Sequence, residues 1–382
     1  MQVTRRAWGP IALLAGACVA GAPRGAAADT ADPATFSTLF RLFTDSENVT
    51  VRSAVGDYVW PIRSGVNLDV HWNNERVAIP GISAPPGSQE AVDAITTASR
   101  PIAGNPYQEY VKVRNEMQGD LSLPHGSASY YLSREVDYVA HQVGGNVHRD
   151  FDDQQLDVSV GSSVGWDDIM PLANGTEQVT GGTKTTLHWN AVATRVLSPS
   201  TMLRWGVEYN VVNGMQNNPY REVYAGGAYE PERLPDHRER RDTFLRLNQY
   251  LPNRSSLKFN YRLYNDDWGI TSHELGSSLS QYVTHGVSAT YEYRYYTQTH
   301  ATFYSNDYVD ETGIDGYLTG DYRLNDLSSH LFGASLRLDF QQLAAAHRWL
   351  GRSEVWLNAQ RYFNSNNYSA NILETGLDFH FQ

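Results

Sequence analysis

The chain has 382 residues, a formal net charge of −12 at pH 7, 12% aromatic residues and a single cysteine. This acidic balance is the wrong sign for a nucleic-acid partner. No apolar run is long enough for a bundle of membrane-spanning helices. The composition still allows a transmembrane β-barrel. The strands of such a barrel place every second residue on a polar interior, so their average composition is hydrophilic.

The first 28 residues have the pattern of an export signal. Arg5 and Arg6 precede the short apolar run 10–20, and alanines at 26–28 offer a cleavage site before Asp29. We therefore expect residues 1–28 to be a cleaved signal peptide. Cys18 lies inside this segment. The mature chain would then have no disulfide, no catalytic thiolate and no cysteine-ligated metal.

Residues 29–45 have a helical spacing of apolar residues. Phe36, Leu39, Phe40 and Phe43 follow the i, i+3, i+4, i+7 pattern, and Pro33 suits a first helical turn. The spacing predicts a short amphipathic helix over 29–45. Such a helix would either plug a barrel or pack as a cap at its rim.

Residues 46–382 read as one β domain, because the apolar period changes to two. Apolar and polar residues alternate over segments of up to about ten residues, the length that a tilted strand needs to cross a bilayer. The clearest segments are 66–73, 128–133, 156–167, 187–193, 203–211, 257–263, 287–295, 332–340 and 355–359.

The connections between these segments are of two kinds. Those at 197–200 and 251–254 are tight, whereas 168–184, 213–242 and 305–316 are long and polar. The proline-containing stretch 78–106 is too long for a hairpin turn and is expected to be a loop with its own role. The pattern predicts an antiparallel outer-membrane barrel of about sixteen strands, within a range of 14–18. Strict alternation of short and long connections fails near 325–328, which leaves the strand directions open.

The last strand is expected to close the barrel. Leu377, Phe379 and Phe381 alternate with Asp378 and His380, so one face of the ribbon is apolar. We interpret the apolar face as lipid-facing, since the terminal aromatics resemble the closing strand of bacterial outer-membrane barrels. In a soluble secreted β-sandwich, the rival fold, the same face would point inward.

Several local stretches resemble an uncharacterised family of bacterial outer-membrane proteins that is catalogued as a domain of unknown function. They are spread over most of the chain after residue 45, at 92–99, 133–138, 266–273, 298–304 and 320–324. The resemblance implies a barrel and brings no established activity.

Ten charged residues fall on the polar phase of the predicted strands and are candidate lumen residues. They are Arg204, Glu208, Lys258, Arg262, Glu292, Arg294, Arg337, Asp339, Glu374 and Asp378. Fixed charges inside a pore would select solutes by sign. Alternatively, opposite charges on neighbouring strands pair and stiffen a closed barrel.

The sequence carries no catalytic constellation. Ser272 and His273, like Ser329 and His330, are neighbours whose side chains would point to opposite faces of a strand. The loop carboxylates favour solvated turns over a cation cage, and whether they hold a metal stays open. These carboxylates are Asp150, Asp152, Asp153, Asp307, Asp310, Glu311 and Asp315. The charge-rich run 233–242 is either a lipopolysaccharide or anion contact or a hydrated loop whose charges cancel.

The expected function is that of a non-enzymatic porin-like channel or secretion conduit in the bacterial outer membrane. The alternative is a plugged barrel with a structural or assembly role in the envelope or in polysaccharide export, and an outer-membrane hydrolase ranks third. Expected partners are outer-membrane lipid, lipopolysaccharide and the barrel-assembly machinery. No cofactor and no nucleic-acid partner are expected, and the oligomeric state stays open.

Overall fold

Sixteen antiparallel strands close into a barrel, as predicted. The structure is a computed structural model that describes residues 34–80, 109–153, 155–172, 180–340 and 353–380. The barrel strands are β1 (Thr35–Asp45), β2 (Thr50–Arg63), β3 (Val66–Ile79), β4 (Tyr110–Leu123), β5 (Gly126–Arg134), β6 (Tyr138–Phe151), β7 (Leu156–Ile169), β8 (Gly182–Ser198), β9 (Thr201–Gly214), β12 (His237–Leu251), β13 (Ser255–Asp266), β14 (Thr271–Thr284), β15 (Val287–Gln298), β16 (Leu327–Asp339), β17 (Ser353–Asn364) and β18 (Ser369–His380). A separate hairpin consists of β10 (Glu222–Ala225) and β11 (Ala228–Pro231).

The predicted N-terminal helix is wrong: residues 35–45 form strand β1, which pairs with both β2 and β18 and closes the barrel. The apolar spacing misled because a step of four residues also keeps two side chains on one face of a strand. Phe36 and Phe40 lie on one face of β1, while Leu39 and Phe43 lie on the other. Without β1, the edge of β18 would have unpaired backbone groups. Residues 29–33 lie outside the described residues, as does the predicted signal peptide 1–28.

The sheet has an apolar face and a polar face. Leu373, Trp205, Leu275 and Tyr291 share the apolar face and are all exposed. The other face carries most of the charged strand residues, and many of these form ion pairs with one another. Because the sheet is closed, we identify the less exposed polar face as the interior, here called the inner face, and the apolar one as the outer face.

The two ends of the barrel differ. The turn rim holds both barrel termini, the tight turns at 64–65, 124–125, 199–200, 252–254 and 285–286, and the facing ends of β6 and β7 and of β16 and β17. The loop rim holds the connections at 46–49, 135–137, 215–236, 267–270, 299–326 and 365–368, and the facing ends of β3 and β4 and of β7 and β8. The alternation of short and long connections, which the sequence pattern did not show near 325–328, is kept there. Residues 299–326 form one long connection with a 3-10 turn at Tyr322–Leu324. Residues 81–106 of the predicted loop 78–106 lie outside the described residues. Its first two residues, Ala78 and Ile79, belong to β3.

Cysteine cross-linking tests the closure by β1. Thr38 and Leu377 are paired across β1 and β18, which places their Cα atoms within disulfide range. In a Cys18→Ala background, we expect the Thr38→Cys/Leu377→Cys variant to form a disulfide under mild oxidation, detected as a mobility shift. The control pair Thr38→Cys/Leu373→Cys is offset by four residues, about 13 Å along a strand, and should not cross-link. Equal cross-linking of both pairs would contradict the register.

Candidate functional site

The strand register places all ten predicted lumen charges on the inner face. Glu208 pairs in register with Asp242, Lys258 with Asn248, and Glu292 with Gly333. On the closing strands, Glu374 lies beside Asn358, and Asp378 lies beside Glu354. Their role in a lumen stays a prediction. The closing-strand residues Leu377 and Phe379 lie on the outer face, whereas Phe381 lies outside the described residues.

Several of the ten are held in ion pairs on the inner wall. Arg262 donates to Asp242 at 2.8 Å and to Glu208 at 3.4 Å. Glu374 accepts from Arg41 Nε at 2.6 Å and from Asn358 Nδ2 at 2.8 Å. These links join β9, β12 and β13 on one side of the barrel and β1, β17 and β18 on the other.

Two further pairs continue the network. Arg337 donates to Glu354 at 2.6 Å, and Arg294 lies 3.7 Å from Glu274. Sequence reasoning missed the partners Arg41, Asp242, Glu274 and Glu354. Their position on the polar phase of each strand was the available signal, but their pairing depends on the register between strands.

A buried ionic cluster lies on the inner face near the loop rim. Lys112 Nζ forms salt bridges with Glu135 and, at 3.1 Å, with Asp137, and its side chain is only 4% exposed. Tyr220, from the loop between β9 and β12, donates its hydroxyl proton to Asp137 at 2.8 Å. The same hydroxyl accepts from the backbone N–H of Leu172 at 2.7 Å. Tyr220 thus ties its loop to the β4–β7 wall at the loop rim.

The two longest described connections fold together at the loop rim, and we call residues 215–236 and 299–326 the loop cap. Arg233 and Leu318 exchange two backbone hydrogen bonds of 3.0 Å between the loops. Val223, Ala225, Tyr308 and Leu318 form a buried apolar cluster. A second apolar cluster joins the cap to β13 and β14. It consists of Trp268, Ile270, Ala301, Phe303, Tyr304 and Leu324.

Buried charges hold the cap together. Arg221 lies 3.1 Å from Glu232 and 3.3 Å from Asp321, and Arg323 donates to Asp321 at 2.7 Å. Glu232 is fully buried and also accepts from the Thr319 hydroxyl at 2.5 Å. Burial alone would raise the pKa of the Asp321 carboxyl, but the guanidinium groups of Arg323 and Arg221 outweigh it, so its pKa lies below the ordinary value.

The exposure of charged side chains changes along the barrel. Near the loop rim, Lys112 and Asp266 are buried against the loops. Farther toward the turn rim, Arg294 is 42% exposed and Arg337 is 54% exposed. The charged side chains of the inner face are therefore buried near the loop rim and more exposed farther from it.

The predicted loop patch at 233–242 is divided by the start of β12 at His237. Arg238, Arg240 and Asp242 lie on the inner face, while Glu239 and Arg241 lie on the outer face next to the loop rim. The reading of the whole run as one hydrated loop is therefore wrong from residue 237 onward, because these residues pair with β9 in a strand.

The two neighbouring Ser–His pairs lie on strands, Ser272–His273 on β14 and Ser329–His330 on β16. Within each pair the two side chains therefore point to opposite faces of the sheet. Ser272 is buried on the inner face, whereas His273 contacts the Tyr261 hydroxyl at 2.8 Å on the outer face. Among the described residues, no group of three or more His, Asp or Glu side chains is arranged to hold a metal ion. In the same part of the chain, no helix is both long and apolar enough to cross a membrane.

A family model described as "Protein of unknown function (DUF3570)" matches residues 14–372. The chain belongs to this family. The match confirms the resemblance found in the sequence. A search of curated proteins found no match.

Several solved structures align with most of this chain. OmpTΔL8, an outer membrane protein of Vibrio cholerae with loop L8 deleted, is 9% identical, and the alignment covers 92% of this chain and 100% of that chain with a TM-score of 0.43. A bacterial polysaccharide outer membrane secretin is 9% identical, with 93% and 100% covered and a TM-score of 0.49. OccD3 (OpdP) of Pseudomonas aeruginosa is 11% identical, with 92% of both chains covered and a TM-score of 0.43.

Replacing Lys112 tests the buried cluster. The Lys112→Met variant leaves Glu135 and Asp137 buried without their cation, so we expect the free energy of unfolding to fall by about 3–5 kcal/mol. The control Arg337→Met removes a solvated partner of Glu354 and should cost no more than about 1 kcal/mol. Urea titration of protein refolded in lipid vesicles measures both. Equal small losses would contradict the assigned burial of Lys112.

The depressed pKa of Asp321 predicts a pH response of the cap. Its carboxylate stabilises the folded cap above the ordinary carboxyl pKa of about 3.9, and this contribution is lost as the pH falls below that value toward the lower folded pKa. Backbone hydrogen exchange over 318–324, corrected for intrinsic rates, should show protection falling below about pH 4. Asp321→Asn should have low protection that changes little with pH, whereas the exposed-loop control Asp315→Asn should behave like the wild type. A wild-type response that survives in Asp321→Asn would contradict this assignment.

Proposed function

We propose that this protein is a bacterial outer-membrane barrel that acts as a porin-like, non-enzymatic channel. The observation that carries the proposal is the distribution of charge on the outer face. Every outward-facing Asp, Glu, Lys or Arg of the described strands lies within five residues of a strand end. These residues are Arg52, Arg76, Arg134, Arg149, Asp168, Arg195, Glu239, Arg241 and Arg361.

The middle of the outer face is thus an uncharged apolar belt. Exposed residues of the belt include Trp205, Leu275, Phe332 and Leu357. An exposed belt of this kind is costly in water and suits the hydrocarbon layer, where charged residues are tolerated mainly near the interfaces. A soluble sandwich would bury this face and is disfavoured. The turn rim, with its short turns, would face the periplasm, and the loop rim would face outward.

The strand number supports a channel. Barrels of sixteen to eighteen strands leave an aqueous interior, whereas barrels of about eight are filled by side chains. The exposed charge of Arg337, near the turn-rim end of β16, fits a water-filled vestibule on the turn-rim side. The loop cap would form the narrow part of the path, at the loop rim.

The rigidity of the cap also supports the alternative of a plugged barrel with a structural or assembly role. Glu232 and Thr319 are buried in the cap, and Tyr220 ties the cap to Asp137 in the connection between β5 and β6. A plug held by such contacts would close the path until a partner displaced it. An outer-membrane hydrolase receives no support from the described inner face, where no Ser–His pair is assembled.

Planar-bilayer conductance separates the channel from the plugged barrel. We expect folded wild-type protein, identified by heat-modifiable migration on a denaturing gel, to give discrete conducting steps. The Tyr220→Phe/Asp321→Asn variant loosens two anchors of the cap and should conduct more. Asp315→Asn serves as the matched control on an exposed part of the cap and should match the wild type.

A conducting variant beside a silent wild type would favour the plugged barrel. Silence of both folded proteins would contradict the channel.

A further inference from the structure

One part of the inner wall near the turn rim carries three basic side chains on adjacent strands, and we call them the basic trio. Arg204 on β9 is the register partner of Arg246 on β12. Arg246 in turn pairs with Asn260 on β13, two residues from Lys258. Facing and diagonal positions of this kind bring long side chains within reach of one another.

The basic trio differs from most other cations of the inner wall, although among the described residues Arg240 near the loop rim also has a buried Nε without a hydrogen-bond partner. Arg41, Arg262, Arg294 and Arg337 each have a carboxylate within 4.0 Å. In the part of the chain that the structure describes, no member of the trio forms a salt bridge, and the buried Nε of Arg204 has no hydrogen-bond partner. Arg246 and Lys258 are exposed.

The two nearby carboxylates do not neutralise the trio. Asp157 interacts electrostatically with Arg204, and Glu208 with Arg246, but neither reaches salt-bridge distance. Glu208 is instead 3.4 Å from Arg262. Like charges on facing strand positions destabilise a sheet, so an anion that enters the lumen would offset this repulsion.

An aromatic ring and a groove lie beside the trio. The Phe244 ring lies against Gly206, where an added Cβ would come within 2.5 Å of the ring. The Arg246 guanidinium lies 5.1 Å from the centroid of the same ring, a cation–π contact that holds it toward the lumen. Lys258 also borders a groove of about 370 Å³ at the turn rim, where Asn248 and Thr201 supply polar groups.

The opposite wall carries two carboxylates, one of which contacts a histidine, since Asp57 Oδ1 lies 2.6 Å from His71 Nδ1. Strands β1, β2 and β3 lie eight positions around the ring from β9, β12 and β13. Asp57 on β2 and Asp69 on β3 lie on their inner faces, also in the half of the strand nearer the turn rim. Opposed charged walls create a field across the lumen that would draw an anion toward the basic side.

We propose that the basic trio is a binding site for a small solute with a phosphate or carboxylate group, on the turn-rim side of the lumen. Arginine and lysine together offer a planar fork and a mobile point charge, both of which suit oxyanions. The solute class rests on the proposed channel, but the binding site itself requires only a folded barrel with an accessible interior.

Anion binding to detergent-solubilised, folded protein tests the site without any need for conductance. The probes are inorganic phosphate, followed by 31P NMR line broadening, and acetate as a competitor. Arg204→Gln/Arg246→Gln/Lys258→Gln should weaken phosphate binding by about tenfold or more, because charge-assisted hydrogen bonds are lost. The control Arg134→Gln/Arg149→Gln/Arg195→Gln removes the same charge from the outer face and should bind phosphate like the wild type.

The outcomes separate the site from the channel. Loss of phosphate binding in the trio variant alone supports the site. Competition by acetate at a similar concentration shows that the site also accepts carboxylates. Absence of phosphate and acetate binding by the wild type, or equal loss in both variants, would overturn it. The exposed pair Arg246→Gln/Lys258→Gln gives the same test where the triple variant does not fold.

Conductance of the same proteins adds a second readout. In a conducting wild type, the anion-to-cation permeability ratio should fall in the trio variant and persist in the control. Selective phosphate binding by a folded protein that never conducts would uphold the site and contradict the channel.

Discussion

The closure of the sheet by β1 is the constraint on which the rest of the structure depends. The register of β1 with β18 begins with Thr35 beside His380 and gives both strands a partner on each side. In a hydrocarbon environment an unpaired strand edge would cost several kcal/mol for each backbone group. Closure also fixes which face of every strand is enclosed. The alternation of residues along the chain thereby becomes an outer belt and an inner wall.

The inner wall is not uniform, and its variation follows from what lies above it. Near the loop rim, the cap excludes water, and a buried charge such as Lys112 is matched by Glu135 and Asp137. Toward the turn rim, water screens the charges, so ion pairs such as Arg337–Glu354 are weakly held. Exposure to water also lowers the cost of adjacent like charges such as Arg204 and Arg246. The same gradient underlies both the proposed constriction and the proposed anion site.

The sequence was sufficient for the barrel and insufficient for the cap. A period of two with mixed turns and loops predicts strands, and it also predicts the faces of Leu377 and Glu374. The prediction of a helix failed at 35–45, because apolar residues spaced four apart lie on one face of a helix and also on one face of a strand. The cap could not be predicted, because its contacts join distant residues such as Glu232 and Thr319. Nor could the basic trio, since the facing of Arg204 and Arg246 depends on the register across a long connection.

The outward orientation of the apolar face is the central claim, and two adjacent residues of β17 test it directly. Leu357 lies on the outer face and Asn358 on the inner face. A single cysteine at either position, in a Cys18→Ala background, is labelled with an environment-sensitive fluorophore and refolded into vesicles that contain lipids with nitroxide-labelled acyl chains. We expect strong quenching at position 357 and little at 358. Equal quenching at both positions, or stronger quenching at 358, would contradict a membrane-spanning barrel with an enclosed polar interior.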